Sequence, residues 1–227
     1  MKTTKQIFFI LILILTLSSC DWLEPEVEQS NQIYQTAATL IHDTSGKNLF
    51  LTDDSIKLQP TEEIIIPDNK KDSLLNKRYF ITFQITEQTT TLYTINLLSS
   101  QQMREIPITP IQSINDTTKY TNQTLLLKNL WISGSYLNMI TEIQGSGQKF
   151  HNYNLLFSLS PTLSPDTLNL IMRYDNNKDN AIYTLQEATT YNLKEFINSE
   201  KDSVIIRFHY NSYYPEYNTI YIKTSTK

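Results

Sequence analysis

The amino-acid sequence predicts an all-β protein. Alanine is scarce among the 227 residues, whereas threonine, isoleucine, tyrosine and phenylalanine are plentiful, and this composition suits strands better than helices. Apolar side chains recur at every second position in RYFITFQIT at 78–86 and in SVIIRFHY at 203–210. Because short polar turns separate these strand-like segments, they favour barrels or sandwiches over α/β units. One short helix is expected near 192–199.

The first 19 residues predict a lipoprotein signal peptide. Lys2 and Lys5 precede an apolar run from Ile7 to Leu17, which is too short to span a bilayer and suits the core of a secretory signal. Leu-Ser-Ser-Cys follows at 17–20 and resembles the bacterial lipobox, in which the cysteine is acylated and the chain is cut before it. We therefore predict lipidation at Cys20, where more than one acyl chain gives stable anchoring. The alternative is an ordinary signal peptide.

The single cysteine limits the other chemistry of the chain. Acylation of Cys20 leaves no thiol for a disulfide, a nucleophile or a metal site. Removal of residues 1–19 takes away two lysines and lowers the formal net charge from −4 to −6. Because the chain is acidic and has no block of lysine and arginine, nucleic acid is not an expected partner. The predicted contact with the membrane is the N-terminal lipid.

Residues 20–30 predict a flexible acidic tether. The stretch DWLEPEVEQSNQ carries four acidic residues and no apolar period. Asp21 alone resembles the inner-membrane retention signal of enteric bacteria, whereas the acidic cluster resembles the surface-export signal of lipoproteins in some other diderm bacteria. Because the cluster continues past Asp21, the expected location is the outer membrane, with the domains facing either the cell surface or the periplasm.

A domain boundary is predicted near residue 114. Pro107 and Pro110 remove backbone donors, and the polar stretch up to Gln123 carries little apolar material. The expected domains are residues 31–114 and 115–227, each large enough to bury a modest core.

Four segments of the second half resemble the C-terminal domain of the NigD-like lipoproteins. They read KNLWISGSYLNMITEIQ, DTLNLIMRYDNN, YNLKEF and KDSVIIRFHY, and they include the family's W-x-x-G-x-Y-L-N motif. LFLTDDSIKLQP and the NKRYFITFQIT segment resemble the family's N-terminal domain less closely, since Gln59-Pro60 stands where the family has Trp-Pro. The resemblance implies an OB-like β-barrel followed by an immunoglobulin-like β-sandwich. It implies little about activity, because the family is named for its association with bacteriocin genes.

The histidines and acidic turns do not predict a metal site. The chain has three histidines, each more than fifty residues from the next, and this spacing matches no metal-binding motif. They are His42, His151 and His209. DNNKDN at 175–180 has the Asp-Asn-Asp spacing of an EF-hand loop, but Asn180 and Gln186 replace the required glycine and glutamate. A hairpin turn accounts for the same residues, so no metal and no cofactor are expected.

The sequence also lacks catalytic motifs. QGSGQK at 144–149 is too short for a phosphate-binding loop, and no G-x-S-x-G nucleophile motif occurs. Asp53-Asp54 and Glu62-Glu63 lie in polar, turn-like sequence, and paired carboxylates act as acid and base only when the fold holds them across a substrate. We therefore expect a non-enzymatic protein, with a carboxylate-based hydrolase as an open alternative.

Tyrosines near the C-terminus predict a ligand-binding surface. HYNSYYPEYNTIY at 209–221 contains five of them, and Tyr213 and Tyr214 lie at a predicted hairpin tip. Tyrosine offers a flat face and a hydroxyl to a sugar or a peptide at low entropic cost. The alternative is that both rings fold over the end of the sandwich.

Five Asp-Ser or Asp-Thr steps resemble the acceptor sequence for O-glycosylation of exported proteins in some diderm anaerobes. The predicted acceptors are Ser55, Ser73, Thr117, Thr167 and Ser203. Ordinary turn chemistry before a strand gives the same dipeptides, so both explanations stand.

These features together predict a lipid-anchored protein of the cell envelope. Its expected role is that of a binding or accessory module for a glycan or a partner protein. Bacteriocin immunity or envelope protection is the alternative that the family resemblance suggests.

Overall fold

The computed structural model describes residues 32–159, 167–197, 203–214 and 218–225, within a compact unit that begins at Ile33. Cys20 and the predicted tether lie outside the described residues. The described part of the chain contains fourteen strands and three short helical turns. This confirms the predicted all-β class.

The first five strands form a closed barrel with the order β1-β2-β3-β5-β4. They are β1 (Ile33–His42), β2 (Asn48–Thr52), β3 (Lys57–Pro60), β4 (Arg78–Gln88) and β5 (Leu92–Gln102). β3 and β5 run parallel, and the other neighbours run antiparallel. The alternation in RYFITFQIT sends Tyr79, Ile81 and Phe83 of β4 into the barrel core.

The remaining nine strands form the two sheets of a β-sandwich. One sheet has the order β14-β13-β11-β10-β7 and the other β6-β12-β9-β8. The strands are β6 (Arg104–Glu105), β7 (Ile108–Ile111), β8 (Leu126–Ser133), β9 (Tyr136–Gly145), β10 (Asn152–Ser158), β11 (Thr167–Asp175), β12 (Tyr183–Asn192), β13 (Ser203–His209) and β14 (Thr219–Ser225). Val204, Ile206 and Phe208 of β13 alternate into the core between the sheets, as SVIIRFHY predicts.

The change from barrel to sandwich falls earlier than residue 114. β5 ends at Gln102, whereas β6 and β7 already belong to the sandwich sheets. Pro110 lies on β7, which is an edge strand where a missing N–H is tolerated. The proline-rich segment therefore marks the edge of a sheet, and a helical turn, Ile114–Lys119, follows it with a capping box formed by Ser113 and Asp116.

The segment near 192–199 does not form the predicted helix in its described part. Asn192 ends β12, and one turn follows, in which the N–H of Ile197 donates to the carbonyl of Leu193 at 3.0 Å. Leu193 is fully buried and Phe196 packs against the same core, so tertiary packing fixes this turn. The other two helical turns are Asp68–Lys70 and Lys71–Leu74.

A largely buried ion pair of the barrel contacts the sandwich where the two domains meet. Arg78, 3% exposed, donates two hydrogen bonds to Asp53, each 2.8 Å long. The Asp53 carboxylate also accepts a hydrogen bond of 2.5 Å from the hydroxyl of Ser133 in the sandwich. The guanidinium lies over the ring of Tyr136, 3.9 Å from its centroid. Because each buried charge has these close partners, the cost of removing it from water is offset. We call this pair the junction ion pair.

The W-x-x-G-x-Y-L-N motif supplies the sandwich side of this junction. Trp131 packs in the apolar part of the junction, and the side-chain amide of Asn138 donates to the hydroxyl of Ser133 at 3.1 Å. Gly134 has φ +53°, and a Cβ there would lie 2.9 Å from Cβ of Asp53, so a larger residue does not fit. The residues that carry the family resemblance therefore hold the two domains together.

Candidate ligand-binding groove

A groove of about 590 Å³ opens at one end of the sandwich. Five amide-bearing residues line it, namely Asn122, Gln123, Gln144, Asn176 and Asn211. The rest of its lining consists of Thr124, Leu126, Glu142, Ile143, Tyr174 and Tyr213. The groove therefore combines many groups that donate or accept hydrogen bonds with an exposed aromatic ring. We call it the amide groove.

Backbone hydrogen bonds fix the walls of the amide groove. The carbonyl of Asn211 accepts from the N–H of Leu125, and its side-chain amide donates to the carbonyl of Asn122, both at 2.8 Å. The N–H of Gln123 donates to the carbonyl of Tyr174 at 2.9 Å. These bonds hold the segment before β8 against the end of β11 and the segment that follows β13, so the protein's own contacts define the groove.

The two predicted tyrosines face neighbouring grooves. Tyr213 is 70% exposed and lines the amide groove. Tyr214 lines a second groove of about 310 Å³, whose wall also includes Tyr210 and Ile220. The centroids of the two rings lie 6.4 Å apart. Both side chains are thus exposed beside a concave surface, as a binding role requires, while Tyr210 packs in the core.

Tyr174 connects the amide groove to a buried network of hydrogen-bonded polar side chains. Its hydroxyl lies 2.5 Å from Nδ1 of His151, and Nε2 of His151 lies 3.4 Å from a carboxylate oxygen of Asp179. His151 is 1% exposed. The hydroxyl of Ser146 donates to Asp179 at 2.5 Å, and its N–H donates at 2.8 Å. The hydroxyl bond is the main cause that lowers the pKa of Asp179 to about 2, while burial raises the pKa of Tyr174.

These hydrogen-bonded side chains include a serine, a histidine and an aspartate, but they are not connected as in a Ser-His-Asp catalytic triad. A nucleophilic serine must donate to the histidine, but Ser146 donates to Asp179. A Cβ at Gly145 would lie 2.6 Å from the Asp179 carboxylate, so this glycine permits the close approach of the loop. These hydrogen bonds therefore position Tyr174, which lines the amide groove. Sequence reasoning missed this network, because 28 residues separate His151 from Asp179.

The acidic turn at 175–180 is built from local hydrogen bonds. Asp175 accepts from the N–H of Asn177 at 2.9 Å, whereas Asp179 turns inward to Ser146. Asn177 and Lys178 both have positive φ, as tight turns require. Within the described residues, no cluster of three or more His, Cys, Asp or Glu is arranged to hold a metal ion. His42 and His209 each contact a neighbouring polar side chain instead.

The five predicted O-glycosylation residues differ in accessibility. Ser55 and Ser73 are exposed, and Thr167 and Ser203 are half-buried at the starts of β11 and β13. Thr117 is 5% exposed, and its hydroxyl donates to the carbonyl of Ile114 at 2.8 Å. Because a buried, hydrogen-bonded hydroxyl cannot accept a sugar without local unfolding, the geometry does not support modification at Thr117.

Another cavity, of about 350 Å³, lies at the mouth of the barrel. Tyr34, Phe83 and Tyr93 contribute to its lining, and the rings of Tyr34 and Phe83 stack with centroids 5.8 Å apart. The sequence did not reveal this cavity, because its residues come from all five strands of the barrel and from the turn between β2 and β3.

The chain is built as a two-domain β protein with a barrel and a sandwich. Residues 107–224 match the family model of the NigD-like C-terminal beta sandwich domain, and the chain belongs to this family. No curated protein matches the chain. Within the described residues, no helix is long and apolar enough to cross a membrane.

Three solved structures have the same fold at low sequence identity. A protein of unknown function from Bacteroides vulgatus ATCC 8482 is 18% identical, with a TM-score of 0.66 over 86% of this chain and 90% of its own. A NigD-like immunity protein from Bacteroides caccae ATCC 43185 is 17% identical, with a TM-score of 0.63 over 86% and 99%. A candidate lipoprotein from Bacteroides fragilis NCTC 9343 is 14% identical, with a TM-score of 0.54 over 86% and 99%.

Proposed function

We propose that this protein is a non-enzymatic, lipid-anchored protein of the cell envelope that binds a glycan in the amide groove. The single observation that carries the proposal is the lining of that groove. Five amide-bearing residues surround an exposed tyrosine in a preformed concavity. Amides match the hydroxyls of a sugar as both donors and acceptors, and a tyrosine ring packs against the apolar face of a pyranose.

The charges of the groove favour binding over hydrolysis. Glycoside hydrolysis uses a pair of carboxylates on either side of the scissile bond. Glu142 is the one carboxylate-bearing residue among the described residues that line the amide groove. Its carboxylate lies 3.2 Å from the ammonium of Lys128. Asp179 does not line the groove, and its carboxylate already accepts a hydrogen bond from Ser146.

The envelope location is proposed from the lipobox and its surroundings. Lipidation at Cys20 would anchor the chain, and the acidic residues after it favour the outer membrane. The candidate lipoprotein from Bacteroides fragilis, which has the same fold, supports the general assignment.

The test of glycan binding is a panel of neutral oligosaccharides, with the full-length lipoprotein in detergent. We expect the wild type to bind one class of glycan. Tyr213→Ala should lower the affinity about tenfold or more, because an aromatic ring that packs against a ligand is often a main contributor to the binding free energy. Tyr183→Ala is the matched control, because Tyr183 is 60% exposed and lines none of the grooves. Equal losses in both variants, or no binding by the wild type, would contradict the proposal.

Bacteriocin immunity is a second candidate function. The observation in its favour is that the structurally similar protein from Bacteroides caccae is named an immunity protein. Deletion of the gene for this chain would then make cells more sensitive to a bacteriocin from related strains, and expression in trans would restore resistance. Unchanged sensitivity across a bacteriocin panel would remove this candidate.

A further inference from the structure

The outer face of the five-stranded sheet presents a group of basic side chains. Val204, Ile206 and Phe208 of β13 point into the core, so Ile205, Arg207 and His209 point outward. His209 is exposed and Arg207 is half-buried. Two basic side chains of β13, Arg207 and His209, therefore lie on this face of the sheet.

The pairing of the neighbouring strands extends this group. Arg207 lies opposite Tyr221 of β14, and Ile205 lies opposite Lys223. His209 lies beside Ile171 of β11, and Arg173 is the next residue of β11 on that face. Side chains on adjacent strands of one face lie close enough to act on a shared ligand. We call Arg173, Arg207, His209, Lys223 and Tyr221 the basic face.

The charges of the basic face are not neutralised within the described residues. None of its four basic residues takes part in an ion pair there. Asp175 is the one acidic residue of the described parts of β11, β13 and β14, and it accepts a hydrogen bond from Asn177. Burial lowers the pKa of His209, and the charges of Arg207 and Arg173 lower it further, so the cations of this face at neutral pH are Arg173, Arg207 and Lys223.

A second observation concerns the guanidinium of Arg207. Its Nε is buried and has no hydrogen-bond partner. Because this nitrogen is enclosed, an anion would meet the half-buried guanidinium through its Nη groups, which take part in no ion pair among the described residues. The whole chain carries a net charge of −4, so this basic surface has the opposite sign to the charge of the molecule as a whole.

We propose that the basic face binds an acidic polysaccharide through its sulfate or carboxylate groups. Arg207 and Arg173 would hold the anionic groups, as guanidinium groups do in bidentate contacts. The exposed ring of Tyr221, which lies opposite Arg207 and two residues from Lys223, would pack against a sugar ring between them. None of these residues lines the amide groove, but Arg173 donates a hydrogen bond of 3.2 Å to the side-chain oxygen of Asn122, which does, so the two sites are neighbours.

The test measures the binding of fluorescent dextran sulfate by the full-length lipoprotein in neutral detergent at about 0.15 M salt, where the Debye length is about 8 Å. Uncharged dextran is the reference polymer. We expect the wild type to bind dextran sulfate only, and the double variant Arg207→Gln with Lys223→Gln to lose about tenfold or more in affinity. The charge-matched control is Lys47→Gln with Lys57→Gln, two exposed residues of the barrel, which should bind as the wild type does.

Three results would overturn the proposal. The first is an absence of binding to dextran sulfate by the wild type. The second is an equal loss in the control variant, which would mean that net charge alone governs binding. The third is displacement of the probe, at equal charge concentration, by soluble dihexanoyl phosphatidylglycerol or by duplex DNA, which would show a preference for a lipid headgroup or a nucleic acid. Because the probe is neither neutral nor directed to Tyr213, failure here leaves the amide-groove proposal intact.

Discussion

Single residues with buried polar contacts decide how the loops of the sandwich close. Asp179 is the clearest case, since two hydrogen bonds from Ser146 hold it in its charged form. The lowered pKa of about 2 means that ionised Asp179 favours the folded state. This contribution is complete only above about pH 5, where the unfolded carboxyl is almost fully ionised, and it is lost as the pH falls through about 2.

Ser146→Ala should therefore destabilise the protein in a pH-dependent way. We expect the melting temperature to fall by about 2–4 °C at pH 7, because the charged carboxylate loses its main donor. The difference from the wild type should shrink as the pH falls from 4 towards 2, where Asp179 becomes protonated. Thermal unfolding at pH 7, 4 and 2 checks this, and a difference that is constant with pH would contradict the assigned role of Ser146.

Gly134 offers a test of close approach at the junction. Gly134→Ala should lower the free energy of unfolding by about 2–4 kcal/mol, since alanine would combine positive φ with a clash against Asp53. Gly46→Ala is the matched control, because Gly46 has φ +86° with open space around it, and it should cost about 1 kcal/mol. Urea denaturation measures both values. Equal losses would mean that backbone strain alone makes the glycine necessary.

At the scale of elements, the junction ion pair joins β4 of the barrel to the β8–β9 hairpin of the sandwich. Arg78→Ala should lower the free energy of unfolding by about 3–5 kcal/mol, because it leaves the Asp53 carboxylate without its counter-ion. Lys71→Ala breaks the solvent-exposed pair with Asp68 and should leave the free energy of unfolding nearly unchanged. Urea unfolding compares the two variants, and similar losses would contradict the assigned importance of the junction.

Strand alternation predicted much of the fold but little of the junction. The period of two in RYFITFQIT and SVIIRFHY was enough to predict β4 and β13 and the faces that their residues bury. Asp53, Arg78 and Ser133 lie 25 and 55 residues apart along the chain, and no local pattern indicates that they meet. The same reason hid His151 and Asp179. Tyr213 could be predicted as exposed, but its groove depends on segments from three other parts of the chain.

At the scale of the whole molecule, the proposed function requires that the predicted lipid anchor holds the two domains at a membrane. Cys20→Ala should move the protein out of the membrane fraction and remove acyl groups from its mass, since the thiol carries the predicted lipid. Mass spectrometry of the wild type should give residues 20–227 plus acyl chains. An unacylated wild type in the soluble fraction would contradict lipid anchoring.

The central claim is that the amide groove is the site of glycan binding. Hydrogen–deuterium exchange with and without the best oligosaccharide of the panel tests this directly, because it reports where the ligand protects the backbone. We predict slower exchange in residues 122–126, 142–144 and 211–213, which line or support the groove. We also predict no change around Tyr34 and Tyr93 at the barrel mouth. Protection at the barrel mouth, with none at the amide groove, would contradict the account.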